Sequence, residues 1–247
     1  MKTVKILTLC LAAVFGLYSC GSDDKDEKKE EKNKVYLVKS LTISEDGDYV
    51  KYTFTYENNK IVKWTGVDSD GESDGGTFSY PSATSVNYKG FDGEEEVITL
   101  DATENVISKQ EGMYSDGEQY KGTYSFVDGY LSKISWNENG SIVYAWSNGN
   151  LTTIKDTYIY DDGKEEETST IAYSDIENKT NIDFCLWLDD AEPIYTIQFM
   201  KNVSKNIPSS VKYGTGALSI ISTTLDEKGR PSKMVYDGCT YTFEYYD

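Results

Sequence analysis

The 247-residue chain contains no histidine. That absence removes Ser-His-Asp and Cys-His nucleophilic catalysis and the imidazole ligands on which most zinc sites depend. Basic residues are scarce: 24 Lys and Arg stand against 42 Asp and Glu, for a net charge of -18, and Arg230 is the one arginine. Nucleic acid and anionic membrane surfaces bind through Lys and Arg that neutralise phosphates, so no nucleic-acid partner is expected. No glycine-rich phosphate loop or dinucleotide fingerprint occurs, and no cofactor is expected. Proline is rare, at 4 residues, so strands are seldom interrupted. From Val35 onward there is no helical periodicity.

Carboxylate chemistry of the glycosidase type is what remains for an enzyme, and no pair stands out among so many acids. Glu94–Glu96 and Glu165–Glu167 sit beside turn sequences and read as solvated charge. Asp68, Asp70 and Asp74 around Gly71 resemble the start of a calcium loop, but Ser79 stands where the bidentate glutamate belongs, so the segment reads as an acidic hairpin loop. No metal and no catalysis are expected.

The N-terminus carries its own address. Lys2 and Lys5 precede an apolar run from Ile6 to Leu17, too short for the roughly 20 residues that span a bilayer. With Ser19 before Cys20, residues 1–19 have the form of a secretory signal peptide. Leu17, Ser19 and Cys20 resemble a bacterial lipobox, with Tyr18 bulkier than usual. The resemblance implies that Cys20 becomes the lipid-bearing N-terminus, whose two or more acyl chains hold a membrane stably. Residues 20–34 have no apolar side chain beyond that cysteine to bury and read as a charged, extended tether. The acids just after Cys20 resemble an export signal of Bacteroidetes-type lipoproteins, which implies an outer-membrane address facing the cell exterior.

Residues 35–247 read as an all-β domain. Val50, Tyr52, Phe54 and Tyr56 alternate with polar residues, as do Ile142, Tyr144 and Trp146, then Tyr195, Ile197 and Phe199, then Tyr241, Phe243 and Tyr245. Between such runs stand turn pairs, among them Asn58-Asn59, Asp70-Gly71, Asp92-Gly93, Glu104-Asn105, Asp116-Gly117, Asp128-Gly129, Asn148-Gly149 and Asp237-Gly238. Asn and Gly tolerate the positive φ of tight hairpins. A weak repeat runs through Tyr52–Trp64, Tyr124–Ile134 and Tyr144–Ile154: aromatic-x-aromatic, a turn, then aliphatic-x-Lys/Thr-aliphatic. Such a rhythm predicts an antiparallel meander of roughly 12–16 strands, and a sheet that wide should curl or become barrel-like. The face opposite the aromatics is polar, unlike the lipid-facing band of a transmembrane barrel, so a soluble barrel held to the membrane through its lipid anchor alone is expected.

Two cysteines remain in the domain, Cys185 and Cys239, candidates for a disulfide in an oxidising compartment or for buried thiols. Trp64, Trp136, Trp146 and Trp187 suit either a β core or stacking on sugars.

The C-terminal part, Asn206–Val211, Asp226–Val235 and Tyr241–Tyr245, resembles the ending of a Bacteroidetes-type lipoprotein family, a domain of unknown function with a porin-like β fold. The resemblance implies fold and location, and no site residues. The function expected on these grounds is non-enzymatic binding of a glycan or small apolar ligand by a curled β-sheet. The alternatives are a structural subunit of a surface assembly with a packed interior, and a carboxylate glycosidase.

Overall fold

A computed structural model describes residues 36–101, 106–113, 119–136, 140–160, 163–186 and 202–247. Among them are seventeen strands in one antiparallel sheet. The first nine are β1 (Val38–Glu45), β2 (Asp48–Glu57), β3 (Lys60–Asp68), β4 (Ser73–Ser82), β5 (Ser85–Gly90), β6 (Glu95–Leu100), β7 (Val106–Met113), β8 (Gln119–Val127) and β9 (Tyr130–Trp136). The rest are β10 (Gly140–Ser147), β11 (Asn150–Tyr160), β12 (Gly163–Glu177), β13 (Asn206–Tyr213), β14 (Leu218–Ile220), β15 (Ser222–Leu225), β16 (Pro231–Tyr236) and β17 (Cys239–Tyr245). Consecutive strands pair from β1 to β14 and from β15 to β17, and β1 pairs with both β2 and β17. Ladders therefore run without a break from β15 through β17 and β1 to β14. No ladder joins β14 to β15. Ile221 alone separates them, and its N–H donates to Ser209 O at 2.9 Å. The sheet is thus a curled all-β meander whose two end strands are linked by the chain itself.

The expected alternation is present. In β2, Phe54 is buried, Val50, Tyr52 and Tyr56 are half-buried, and the residues between them are exposed. Ile142 and Tyr144 in β10 and Phe243 in β17 are likewise buried. Inward residues from strands around the whole sheet form one apolar core, with Leu41, Phe54, Ile61, Ile98, Leu131 and Leu151 among the fully buried. Each such side chain contributes about 1.5–3 kcal/mol by leaving water. The run Tyr195, Ile197, Phe199 lies outside the described residues, as do Trp187, the turns at Asn105 and Asp116, and residues 1–35 with Cys20.

The repeat has a structural cause that simple alternation does not predict. Ile61 and Trp64 are both buried, as are Leu131 and Ile134, Leu151 and Ile154, and Pro231 and Met234. Positions three apart in a regular strand face opposite sides. Here a β-bulge places one extra residue in each strand: Val62, Ser132, Thr152 and Ser232. After the bulge the second aliphatic residue points inward again. A bulge disrupts the ladder and frees backbone groups that need partners. In all four units the carbonyl just before the bulge accepts a bond from an aromatic side chain of the next strand. Tyr80 OH donates to Ile61 O (2.6 Å), Trp146 Nε1 to Leu131 O (2.6 Å), Tyr173 OH to Leu151 O (2.7 Å) and Tyr245 OH to Pro231 O (2.8 Å). Three of the bulge residues also donate side-chain bonds across the hairpin: Ser132 to Ser125 O, Thr152 to Ala145 O and Ser232 to Thr224 O. The fourth unit, around Pro231, extends the repeat beyond the three copies visible by sequence.

Turns alternate between two ends of the sheet. At one end lie the tight turns Asn58-Asn59, Asp128-Gly129 and Asn148-Gly149, all at positive φ, together with the β15–β16 turn and the chain's entry at Tyr36. This end is covered by the described parts of the β12–β13 connection. Ile182, Phe184 and Leu186 are buried there, and Phe184 meets Phe243 edge-on at 5.4 Å. Asp183 is fully buried, accepting from Cys185 N at 3.0 Å and Ser204 N at 2.6 Å. Arg230 locks the entry point: it donates to Asp226 at 2.6 Å, and its guanidinium lies 4.5 Å from the ring centres of both Tyr36 and Tyr245.

Candidate functional site

The opposite end carries the turns Asp46-Gly47, Ser69–Glu72, Phe91–Glu94 and Asp237-Gly238. A cavity of about 660 Å³ opens there, between the β1–β2 hairpin, the end of β3 and the start of β17. Ile43, Val50 and Tyr52 form its apolar walls, and Glu45, Asp46, Asp48 and Asp68 its acidic rim. No Lys or Arg lines it. Tyr52 lies over Gly66, the residue directly opposite it, and tilts against Trp64 at 6.1 Å between ring centres. A side chain at 66 would crowd that ring, so glycine lets the tyrosine lie along the wall. Burial raises the Tyr52 hydroxyl above its ordinary pKa, and the Asp74 charge adds to the effect. Tyr241, near the same end, is pushed up to about 12 by burial first and then by Cys239, Tyr236 and Glu45.

The acidic loop that resembled a calcium site serves its own hairpin. Asp68 Oδ1 accepts from Asp70 N at 3.0 Å and Glu72 N at 2.8 Å, an arrangement that closes the turn. Ser69 donates to Asp48 at 3.4 Å, which ties this turn to the β1–β2 hairpin. The outcome is an acidic hairpin loop on the cavity rim.

Two groups of acids expected to be solvated are divided between the faces of the sheet. Glu95 does pair with Lys89 at 3.0 Å on the surface. Glu96, however, is 4% exposed and stands opposite Tyr88 on the inner face. The alternation Glu96-Ile98-Leu100 turns it inward with its apolar neighbours. Tyr88 is pushed up to about 12 by burial, which outweighs the opposing effect of the nearby Trp64 indole; Glu94, Asp74 and Glu96 push in the same direction as burial. In the second group Glu166 takes Lys155 and Lys164 at 3.0 and 2.6 Å, and the Lys164 bond leads in lowering its pKa. Glu167, directly across from Asp156, is exposed as expected. Asp156 is buried, and burial followed by the Glu167 charge raises its carboxyl above the usual range. Its inward register after Leu151 and Ile154 depends on the Thr152 bulge, so simple alternation along the strand does not single it out.

The disulfide candidate is not realised: Cys185 and Cys239 are both free. Cys185 is buried in the β12–β13 connection, 3.2 Å from Tyr173 OH. Cys239 begins β17 on the cavity wall at the acidic end. Burial raises both thiols, helped by Asp183 at the first and Glu45 at the second. Of the tryptophans, Trp64 is core, and Trp136 and Trp146 are half-buried against it. None of the three lines the cavity.

No family profile and no curated protein sequence matches this chain. Its fold is similar to that of a porin-like protein from Bacteroides uniformis ATCC 8492 seen in a crystal structure, at 15% identity and a TM-score of 0.66, over 85% of this chain and 96% of that one. At that identity the likeness is one of architecture: this chain has a porin-like β fold.

Proposed function

We propose that this chain is a cell-surface lipoprotein that binds a small molecule or glycan at the acidic end of its curled sheet, without catalysing a reaction. The observation that carries this reading is the cavity beside the β1–β2 hairpin, where an aromatic wall and carboxylate acceptors share about 660 Å³. That volume lies within the range typical of small-ligand sites, and few polar groups around an apolar wall are their usual chemistry. Location rests on the signal peptide and Cys20.

A second reading, a subunit of a surface assembly, is favoured by Leu218 and Ile220. They are 57% and 64% exposed on β14, beside the one junction without a ladder, and exposed apolar groups at a strand edge suit a protein partner.

The test is thermal shift of the secreted chain from residue 21 onward against a panel of glycans and small amphipathic ligands. A binder present at a hundred times its Kd stabilises by about 2.7 kcal/mol, a clear rise in Tm. No shift with any member of the panel would refute the binding reading. Cys20→Ala should move the protein from the membrane to the soluble fraction, and its retention in the membrane would refute lipid anchoring.

A further inference from the structure

We propose that the inner face of β10–β12, centred on Asp156, holds an ammonium group and so binds an amine. None of its residues lines the cavity beside the β1–β2 hairpin, so this is a second site.

Asp156 is 7% exposed and Ser169 is 1% exposed, and both face the interior. Among the described residues, neither Asp156 Oδ1 nor Ser169 Oγ has a hydrogen-bond partner. A buried carboxylate oxygen without a donor is costly, and folded proteins pair such groups. Two of them side by side point to a group that completes them. Register places them together: Ile142, Asp156 and Glu167 stand in one row across the three strands, and Tyr144, Ile154 and Ser169 in the next. Asp156 is therefore directly opposite Glu167, which is exposed, and diagonal to Ser169.

The missing partner must donate, because the waiting atoms are a carboxylate oxygen and a hydroxyl oxygen, with a second carboxylate beside them. It must carry positive charge to offset two like charges on adjacent strands. An ammonium offers three N–H donors and one positive charge, which matches Asp156, Glu167 and Ser169. The hairpin's own lysines are committed elsewhere, since Lys155 and Lys164 both bind Glu166 on the outer face. A hard metal cation is a poorer fit. It takes six to eight oxygens, and no group of three or more acidic or sulfur ligands among the described residues is placed to hold a metal. The acidic rim at Glu45, Asp46, Asp48 and Asp68 adds attraction for a cation approaching this end.

The test titrates the full, detergent-solubilised chain with putrescine and with butanediol of the same carbon skeleton, by isothermal calorimetry at low and at physiological salt. The expected result is binding of the diamine and not the diol, weakened by salt. Asp156→Asn should weaken it roughly 10- to 100-fold, the worth of one hydrogen-bonded charge, and Ser169→Ala by a smaller factor. Asp156→Asn should unfold at the wild-type temperature or above it, because an unpaired buried charge is removed; a lower Tm would mark Asp156 as structural and overturn the proposal. Equal binding of diol and diamine, or diamine binding indifferent to Asp156→Asn, would also overturn it. Failure of the diamine to bind would overturn it as well.

Discussion

Tyr173→Phe removes one oxygen atom from the point where the β12–β13 connection is fastened to the sheet. The hydroxyl donates to Leu151 O at 2.7 Å. With its single proton used there, it accepts from Ser204 Oγ at 2.9 Å and from the Cys185 thiol at 3.2 Å. Ser204 Oγ in turn accepts from Leu151 N at 3.2 Å. Tyr173 and Ser204 thus satisfy both backbone groups of Leu151, which the Thr152 bulge has taken out of the ladder. Phenylalanine keeps the packing and leaves the Leu151 carbonyl and the Ser204 hydroxyl unmatched. At about 1–3 kcal/mol for each buried unsatisfied group, the loss should be about 3 kcal/mol. For a domain of this size that lowers Tm by about 6–12 °C. Tyr80→Phe provides the comparison: its hydroxyl makes the same bond to a pre-bulge carbonyl, Ile61 O, with no Ser204 or thiol attached, and should cost about 1 kcal/mol. The second readout is the thiol itself. In the chain from residue 21 onward carrying Cys239→Ser, Cys185 is the one cysteine of the domain beyond Cys20 and is buried. Its reaction with an aromatic disulfide reagent requires local opening of the connection, and 3 kcal/mol less resistance to opening speeds labelling roughly 100-fold. A Cys185 labelling rate within twofold of the parent and an unchanged Tm would refute the account of how this end is closed.

Two further outcomes follow from the inner face. Gly76→Ala places a methyl group against the ring of Tyr88, which is buried against Phe78 at 5.1 Å; overpacking should cost about 1–3 kcal/mol in urea unfolding, and a neutral result would mean the ring moves freely. Asp156 binds its proton more tightly in the folded chain, because burial and then Glu167 raise its pKa, with Tyr144 the other titratable group on the neighbouring strand face. Stability should therefore rise as pH falls through that raised pKa. Asp156→Asn should remove this contribution, so that the variant's advantage at neutral pH narrows in mild acid; a constant gap between the two would refute it.

Much of the architecture was legible in single residues. Val50 to Tyr56, Ile142 to Trp146 and Tyr241 to Tyr245 alternate because one face of each strand is buried, and the Asn and Gly turns announce themselves by their tolerance of positive φ. Asp46-Gly47 behaves the same way, with φ of 49° and 104°, directly before the alternation of β2. The bulges were visible only as a repeat without a cause. A three-residue spacing of aliphatics contradicts the period of a strand, and only pairing with a neighbour reveals the extra residue. Asp156 and Glu96 were illegible for a related reason. Composition makes every acid in this chain look like surface, and a strand's register decides which of them turns inward. The described parts of the β12–β13 connection take their order from the side chains of Asp183, Asn178 and Tyr173 bonding to backbone groups far along the chain.

The placement of β1 has a mechanical consequence. It is hydrogen-bonded along both edges, to β2 and to β17. It is also the first strand after the chain enters at Tyr36. A pull on the N-terminus acts along β1, at right angles to those hydrogen bonds. It loads both ladders in shear, many bonds at once, instead of peeling them one by one. Tyr36, held between Arg230 and the Lys179 carbonyl, takes the strain first. A chain tugged from that end meets its strongest resistance at its first strand.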